Sequence, residues 1–468
     1  MSERSLPQDA EAANVTADLI QRYDRPGPRY TSYPPATEFH EDVGAEAYAQ
    51  HLERASQEDA PLSLYVHLPF CEERCLYCGC NVVITKKRPV MRHYLDVLYK
   101  EIRAVAKRLG GRRKLSQYHW GGGTPTYLSP EETRELQTVV LSEFEIEPDA
   151  EVAIEVDPRV TTNEHLDVLH DIGFNRLSMG VQDFTPEVQE AVNRVQPYEL
   201  TEALVEHGRK LGFLSTNIDL IYGLPLQSVE TFRKTLEQVN QIRPERIAVY
   251  SYAHLPHIKG HQRTIDPATL PPPEVKLELF ASAIRAFGGA GYLSVGMDHF
   301  ALPEDEMGQA IANGSLWRNF MGYTVRHAPD MVGLGMSSIG DVAGAFFQND
   351  KRLVNYERAI EAGNLPIERG YVLTREDLIR RYVITALMCT FHLEIAEVER
   401  RFGLEFRTHF AESLKDLEPM VADGFLTIGE ERIEVVGRGR LFIRNICMAF
   451  DPYLKKSSGD QPRFSRTV

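Results

Sequence analysis

From about residue 62 onward, apolar positions along the chain follow two alternating rhythms. Short runs of β-type residues cover 62–67, 115–120, 152–156, 176–180, 216–221, 246–250 and 292–296. Between them, apolar residues recur with a helical period over 91–109, 130–144, 162–172, 197–211 and 229–242. Strand and helix in alternation predict parallel βαβ units, because a parallel neighbour is reached only through a crossover. About six units predict an α/β fold, a partial parallel (β/α)6 TIM-like barrel with its active site at the strand C-terminal ends. Three prolines at 271–273 mark a loop before another helix.

The flanks follow other patterns. Residues 1–37 read as an arm, and its segment 25–35, rich in proline and aromatic residues, should be extended rather than helical. From about 371 the pattern is helix, helix, a hairpin across 424–436, then a last helix near 440–450. That is a mainly helical, winged-helix-like arrangement. The expected organisation is an arm over 1–37 that covers the substrate, a catalytic domain over 38–370 and a C-terminal domain over 371–468.

Charge and composition narrow the function. The formal net charge of −15 argues against broad contact with nucleic acid or a membrane surface. It also disfavours a regulator that binds DNA through the winged-helix-like tail. A local basic pocket for a small anion remains compatible with it. No run of 18 apolar residues occurs, and the start lacks a basic stretch followed by an apolar core. Neither a membrane span nor a secretory signal is expected, and a cytoplasmic location is.

Of six cysteines, four fall within ten residues: Cys71, Cys75, Cys78 and Cys80. A disulfide framework would spread them, so clustered thiols read as metal ligands in a reducing compartment. Cys71, Cys75 and Cys78 have the spacing C-x3-C-x2-C. Three thiolates in one loop can each bind one iron of a [4Fe–4S] cluster, leaving the fourth iron open to a small molecule. A zinc loop is the competing reading, but zinc usually takes two separated cysteine pairs or added histidines. Cys80 would close the open site as a fourth ligand. It is read instead as a nearby thiol acting as a proton or electron relay, with a packed cysteine as the alternative. The spacing resembles the signature of the radical S-adenosylmethionine superfamily. There the methionine end of S-adenosylmethionine chelates the open iron and an electron from the cluster yields a 5′-deoxyadenosyl radical.

Other segments carry chemistry beside this loop. Gly121-Gly-Gly-Thr-Pro125 follows a strand, and its glycines permit close backbone approach to a ligand. In 152–157, alternation puts Val152, Ile154 and Val156 on one face and Glu155 and Asp157 on the other, where a carboxylate can accept from ribose hydroxyls. Asp219 sits in an otherwise apolar strand and should meet a partner. Gln182 and Arg194 follow the fourth strand and its loop. Tyr65 precedes the cysteine loop and on general grounds is core.

The motifs GPRYTSYP (27–34), YVHLPFCEERCLYCGCN (65–81), HWGGGTPTYLS (119–129), IEVDPR (154–159), NRLSMGVQDF (175–184), STNIDLIYGLP (215–225), YAHLP (252–256), GMDHFA (296–301) and RNICMAFD (444–451) resemble the family of oxygen-independent coproporphyrinogen III oxidases. The resemblance runs over almost the whole chain. It implies that two propionates of coproporphyrinogen III become vinyl groups, giving protoporphyrinogen IX in haem synthesis. It implies a cluster on Cys71, Cys75 and Cys78 and two S-adenosylmethionine molecules. Tyr65, Tyr77, Gly122, Glu155, Ala253 and Ile339 would contact the one on the open iron. Gly123, Thr124, Gln182, Arg194 and Asp219 would line the site of the second. Implied partners are the tetrapyrrole, an electron donor and an electron acceptor, and a monomer is expected.

The substrate carries four carboxylates, so arginine forks should hold it, with Arg29 and Arg318 as candidates. Tyr30, Tyr33 and Phe320 are candidates to flank the macrocycle, although aromatic side chains more often belong to a core. One departure stands out: Met321 replaces the glutamine of relatives and cannot supply its hydrogen bonds. A haem-binding chaperone of related sequence is the alternative; such relatives lack the GPRYTSYP arm and carry phenylalanine at the position of Cys80. A radical methyltransferase or haem-degrading relative is a further one.

Overall fold

In the computed structural model, which describes residues 17–456 and 464–467, the apolar runs form the spine of one sheet. Six strands lie side by side in chain order, all parallel: β1 (Leu62–Leu68), β2 (Lys114–Gly122), β3 (Glu145–Val156), β4 (Arg176–Gln182), β5 (Ser215–Tyr222) and β6 (Arg246–Ser251). Beyond β1 the sheet continues with β7 (Asp330–Leu334), which is parallel to it. It then runs antiparallel through Ile339–Val342, Ala345–Asn349 and Ile367–Val372. Beyond β6 come two short antiparallel strands, His299–Ala301 and Leu293–Ser294.

Helices Arg88–Arg108, Pro130–Glu143, Asn163–Asp171, Tyr198–Leu211 and Val229–Ile242 make the crossovers. Local sequence fixes where several of them start. Ser129 with Glu132, Thr162 with His165 and Ser228 with Thr231 each form a reciprocal cap. Such a cap contributes about 1 kcal/mol by satisfying backbone N–H groups that have no intrahelical partner. The α/β alternation expected from sequence is therefore present, on a central sheet whose middle is parallel.

Two expectations need correction, and one group of strands has no counterpart among the expected elements. The run 292–296 is not a parallel strand; only Leu293–Ser294 pairs, antiparallel and at the edge, and Gly296 at φ +89° breaks the extended path. β3 begins at Glu145, well before the apolar stretch, because its polar start pairs with Lys114 and Leu115 and a register shift before Gln117 absorbs the mismatch. The strands between 317 and 372 are too short and too interrupted by glycine to show a period-2 pattern.

The region from 371 contains helices Arg375–Thr390, Ile395–Phe402, Ala411–Ala422 and Ile443–Met448. The expected hairpin, Leu426–Ile428 with Arg432–Val435, gains a third strand, His392–Glu394. This region does not pack alone. Leu19, Tyr23, Tyr30 and Tyr33 of the arm share one apolar core with Val383, Leu387, Phe442 and Ile446, separate from the core beneath the sheet. The arm's described part begins with a helical turn, Ala17–Tyr23, and is non-helical from 24 to 35, as its prolines require. Residues 1–16 of the expected arm lie outside the described residues.

Candidate active site

Parallel strands deliver their C-terminal ends to one side of a sheet, and the sequence places its polar and cysteine-rich segments there. β1 ends at Leu68, and the cysteine loop follows. Phe70–Cys71 pairs with Val83–Ile84, which closes the loop at its base. The glycine segment after β2 is laced to it: Gly123 N–H donates to Leu68 O at 2.9 Å and Thr124 N–H to Phe70 O at 2.8 Å. Gly123 must be glycine, since a Cβ there would lie 2.5 Å from the Pro69 carbonyl carbon. Gly122 sits at φ +113°, and a Cβ on it would meet the His67 ring at 2.4 Å.

A cavity of about 300 Å³ opens at this end of the sheet. Cys71, Cys75 and Cys78 line it together with Tyr77, Gly122, Gly123, Thr124, Glu155, Gln182, Arg194 and Asp219. A second cavity of about 300 Å³ is lined by Tyr65, His67, Phe320, Met321 and Ile339, and shares Cys80, Gly122 and Glu155 with the first. The structure thus brings together nearly all the residues singled out from sequence. Ala253 lines neither cavity, but its carbonyl is tied through Gln262 Nε2 to that of Tyr77, at 3.3 and 3.1 Å.

The thiols sit in different fields. Burial raises Cys71 to about 11. A hydrogen bond from Cys80 lowers Cys78 to about 6 against the effect of burial. Cys75 is buried, and Arg159 Nη2 and Arg194 Nη1 each lie 3.6 Å from its Sγ. The same guanidiniums bind Asp157, at 2.7 and 3.0 Å. Burial disfavours that carboxylate's charge, yet the two cations hold it down at about 2. Cys80 is exposed, so it is not the packed cysteine of the alternative reading. Among the described residues, no three His, Cys, Asp or Glu groups converge as ligands of one metal ion. Thiolates that bind separate irons of a cluster do not need to.

Glu155 faces the cavities while Ile154 and Val156 are buried behind it, as alternation requires. Its Oε2 accepts from Gly122 N–H at 2.9 Å and its Oε1 lies 3.5 Å from His119 Nε2. Burial pushes its pKa up, but these two partners leave it below the ordinary value. Tyr65 is not simply core: it stacks on His119 with ring centroids 5.9 Å apart, and its hydroxyl lies 3.0 Å from His67 Nδ1. Gln182 adopts φ +72°, which turns its side chain into the cavity, where Oε1 is buried without a partner. Asp219 does meet a partner, Asn217 Nδ2 at 2.8 Å, but a neutral one, and burial raises it to about 7.

The arm residues depart from expectation. Arg29 is not a free fork: it pairs with Asp298 and stacks 5.1 Å over Tyr250. Asp298 also bonds His299 Nδ1 at 2.6 Å, and although burial opposes its charge, Arg29 and His299 hold it far below the carboxylate range. Tyr30 and Tyr33 are buried in the second core, with Tyr30 Oη donating to Asp451 at 3.0 Å, and so do not face a ligand. Arg318 is different. It is buried over the Tyr323 ring at 4.4 Å, and its Nε and Nη1 have no partner. Phe320 packs edge-on against Phe346 and lines the second cavity. His67, His119, Arg159 and Asp298 were missed in the sequence reading; the first two alternate toward the same face as Tyr65 and Glu155, which was the available signal.

Two family descriptions match the chain: the radical SAM superfamily over residues 65–239 and the HemN C-terminal domain over 373–442. The oxygen-independent coproporphyrinogen III oxidase of Escherichia coli strain K12 is 47% identical over 450 residues, covering 96% of this chain and 98% of that one. Its namesake from Salmonella typhimurium strain LT2 is 48% identical over 468 residues, the full length of both. Among solved structures, coproporphyrinogen III oxidase (HemN) from Escherichia coli, described as a radical SAM enzyme, superposes with a TM-score of 0.88 at 47% identity, over 91% of this chain and 97% of that one.

Proposed function

The chain belongs to the family of oxygen-independent coproporphyrinogen III oxidases, and on that premise we propose that it converts two propionates of coproporphyrinogen III to vinyl groups, giving protoporphyrinogen IX for haem. It does so with a [4Fe–4S] cluster and two molecules of S-adenosylmethionine. The observation that carries this reading is the set of three thiols on one cavity, with unpartnered polar groups and carboxylates around them. That donor set fits the cofactors: Cys71, Cys75 and Cys78 would hold the cluster and leave one iron open. Tyr65, Tyr77, Gly122, Glu155, Ala253 and Ile339 would take the first S-adenosylmethionine, and Gly123, Thr124, Gln182, Arg194 and Asp219 the second. When bound, these groups supply the electron and the radical chemistry that no side chain can provide.

The chain's own residues bind and orient. Glu155 offers one carboxylate to ribose hydroxyls while His119 and Gly122 fix its position. Gly122 and Gly123 let the backbone approach the cofactor. Arg159 and Arg194 keep Asp157 charged and point N–H groups at the Cys75 sulfur. Arg318, with two free N–H groups, takes a propionate carboxylate, and Phe320 flanks the macrocycle. Cys80, exposed on both cavities, relays a proton or electron. For each propionate the balance is one hydrogen atom from the β-carbon, one carbon dioxide, and one electron passed to an acceptor. In the same reading the six βα units make a partial barrel within a catalytic domain over 38–370, the arm over 1–37 covers the substrate, and the region from 371 is a winged-helix-like domain. The enzyme works as a cytoplasmic monomer; among the described residues no helix is long and apolar enough to cross a membrane.

The test is anaerobic reconstitution of the cluster, followed by incubation with reductant, S-adenosylmethionine, coproporphyrinogen III and an electron acceptor from cell extract. Loss of two carboxyl groups by mass spectrometry, dependent on Cys71, Cys75 and Cys78, is expected. Cleavage of S-adenosylmethionine with all four propionates intact would remove the substrate assignment. Tight haem binding without turnover would favour the chaperone.

A further inference from the structure

Arg444 is a buried cation with an unusual set of partners. No carboxylate lies within ion-pair distance of it among the described residues. Its donors go to main-chain carbonyls of two segments far apart in sequence. Nε donates to Pro28 O at 3.1 Å and Nη1 to Arg466 O at 2.8 Å. Nη2 donates to Gly27 O and, at 3.2 and 3.3 Å, to the carbonyl and hydroxyl of Ser465. A guanidinium that only needed neutralising would sit beside an acid; this one reads the path of two backbones.

The two segments also pair with each other. Pro26 and Arg466 form an antiparallel bridge. Gly27 N–H donates to Ser465 O at 3.0 Å and Thr467 N–H to Arg25 O at 2.9 Å. Thr467 Oγ1 accepts from Arg25 N–H at 3.2 Å and donates to Tyr23 O at 2.9 Å. The fit is close, since a Cβ on Gly27 would lie 2.5 Å from Met448 Sδ. Two residues beyond Gly27 is Arg29, which reaches Asp298 and covers Tyr250, a wall of the first cavity. Asn445, next to Arg444, donates to Tyr23 O at 2.6 Å.

We propose that Arg444 and Thr467 are positioning residues for the substrate site: they clasp residues 23–28 between the helix Ile443–Met448 and the tail segment 465–467, and so fix Arg29 at the edge of the cavity. The substrate half of this inference rests on the tetrapyrrole reading above; the clasp itself does not. The tail segment thus becomes part of the active site without touching the cofactors.

Two variants of the reconstituted full-length protein test it. Arg444→Lys keeps the charge and loses the fork. Thr467→Pro removes one N–H and one hydroxyl near the chain end, where unfolding of the whole protein is not expected. In both, KM for coproporphyrinogen III should rise about tenfold, the scale expected for losing one or two hydrogen bonds. Amide exchange in 23–30 should accelerate at least about tenfold as the segment opens locally. Iron content and the rate of S-adenosylmethionine cleavage should stay at the parental level. Parental exchange and KM in Thr467→Pro would overturn the proposal. Faster exchange with an unchanged KM would reduce the clasp to a structural role, and a matching loss of iron or cleavage would make it a general support; either result overturns the positioning claim. If the parent itself spares all four propionates, the substrate reading fails, and the exchange data still decide whether the clasp exists.

Discussion

Glu101 supports the second cavity from behind, and its chemistry sets a pH-dependent test. It lies in the helix Arg88–Arg108, fully buried, and accepts from Gly335 N–H at 2.7 Å, Tyr356 Oη at 2.6 Å and Asn349 Nδ2 at 2.6 Å. Gly335 opens the turn that carries Ser337 and Ile339 to the cavity wall. Burial raises the Glu101 pKa from 4.5 to about 7, with the three donors opposing it. A carboxyl whose pKa is higher in the folded state binds more protons there, so stability falls as pH rises from 4.5 to 7. The rise corresponds to about 3 kcal/mol lost across that window. Glu101→Gln removes the titration but points an amide donor at groups that are themselves donors, at a cost of about 1–3 kcal/mol. The variant should therefore be less stable than the parent at pH 5 and as stable or more stable at pH 8. Unfolding of the cluster-free proteins in denaturant, side by side at pH 5, 6, 7 and 8, reads the difference. The comparison is needed because Asp219 and Asp451 are also raised by burial, to about 7 and 6, and titrate in the same range. Parallel pH profiles for the two proteins would refute the argument.

Gly122→Ala places a methyl group 2.4 Å from the His67 ring at φ +113°; the strain of about 1–2 kcal/mol and the displaced loop should raise the Kd for S-adenosylmethionine at least tenfold by equilibrium dialysis. Serine at Cys71, Cys75 or Cys78 should abolish iron binding and the visible absorbance of the cluster, whereas Cys80→Ser should keep both and lose turnover; a Cys80→Ser protein without iron would make that thiol a ligand. Asp298→Asn strips Arg29 and His299 of their shared carboxylate. Arg29 is partly exposed, so about 1–2 kcal/mol is expected rather than the 3–5 typical of a fully buried cation left alone. KM for the tetrapyrrole should rise while S-adenosylmethionine cleavage persists; a fall in cleavage would show that Asp298 serves the cofactor site.

What the sequence revealed follows from which signals are local. β1 and β6 are buried over most of their length and β4 and β5 at alternate positions, and both patterns are local, so all four could be placed to within about two residues. The cavity side of β3 was readable because Glu155 alternates with buried Ile154 and Val156. The cysteine loop was readable because its ligands sit within a few residues of one another. Asp298 and Arg29 could not be paired in advance, since their contact spans 269 positions and neither segment has a period. Tyr30 and Tyr33 stand in sequence as candidates for the macrocycle or for a core; the tail's apolar residues, invisible as a partner in sequence, claim them for the second core.

The charge distribution explains how an acidic chain can host this site. With a net charge of −15, the mean field of the protein opposes both thiolates and a substrate with four carboxylates. Local cations reverse that field where it matters, because a buried pair is screened far less than surface charge. Arg159 and Arg194 are shared between Asp157 and the Cys75 sulfur, so the buried acid does not stand alone. Arg29 is neutralised by Asp298, whereas Arg318 keeps two N–H groups unpartnered inside the protein. Leaving a buried donor unsatisfied costs about 1–3 kcal/mol, which a carboxylate arriving with the substrate would restore. Which buried arginine lacks an ion-pair partner is a property of the packed structure that neither the net charge nor any single motif contains.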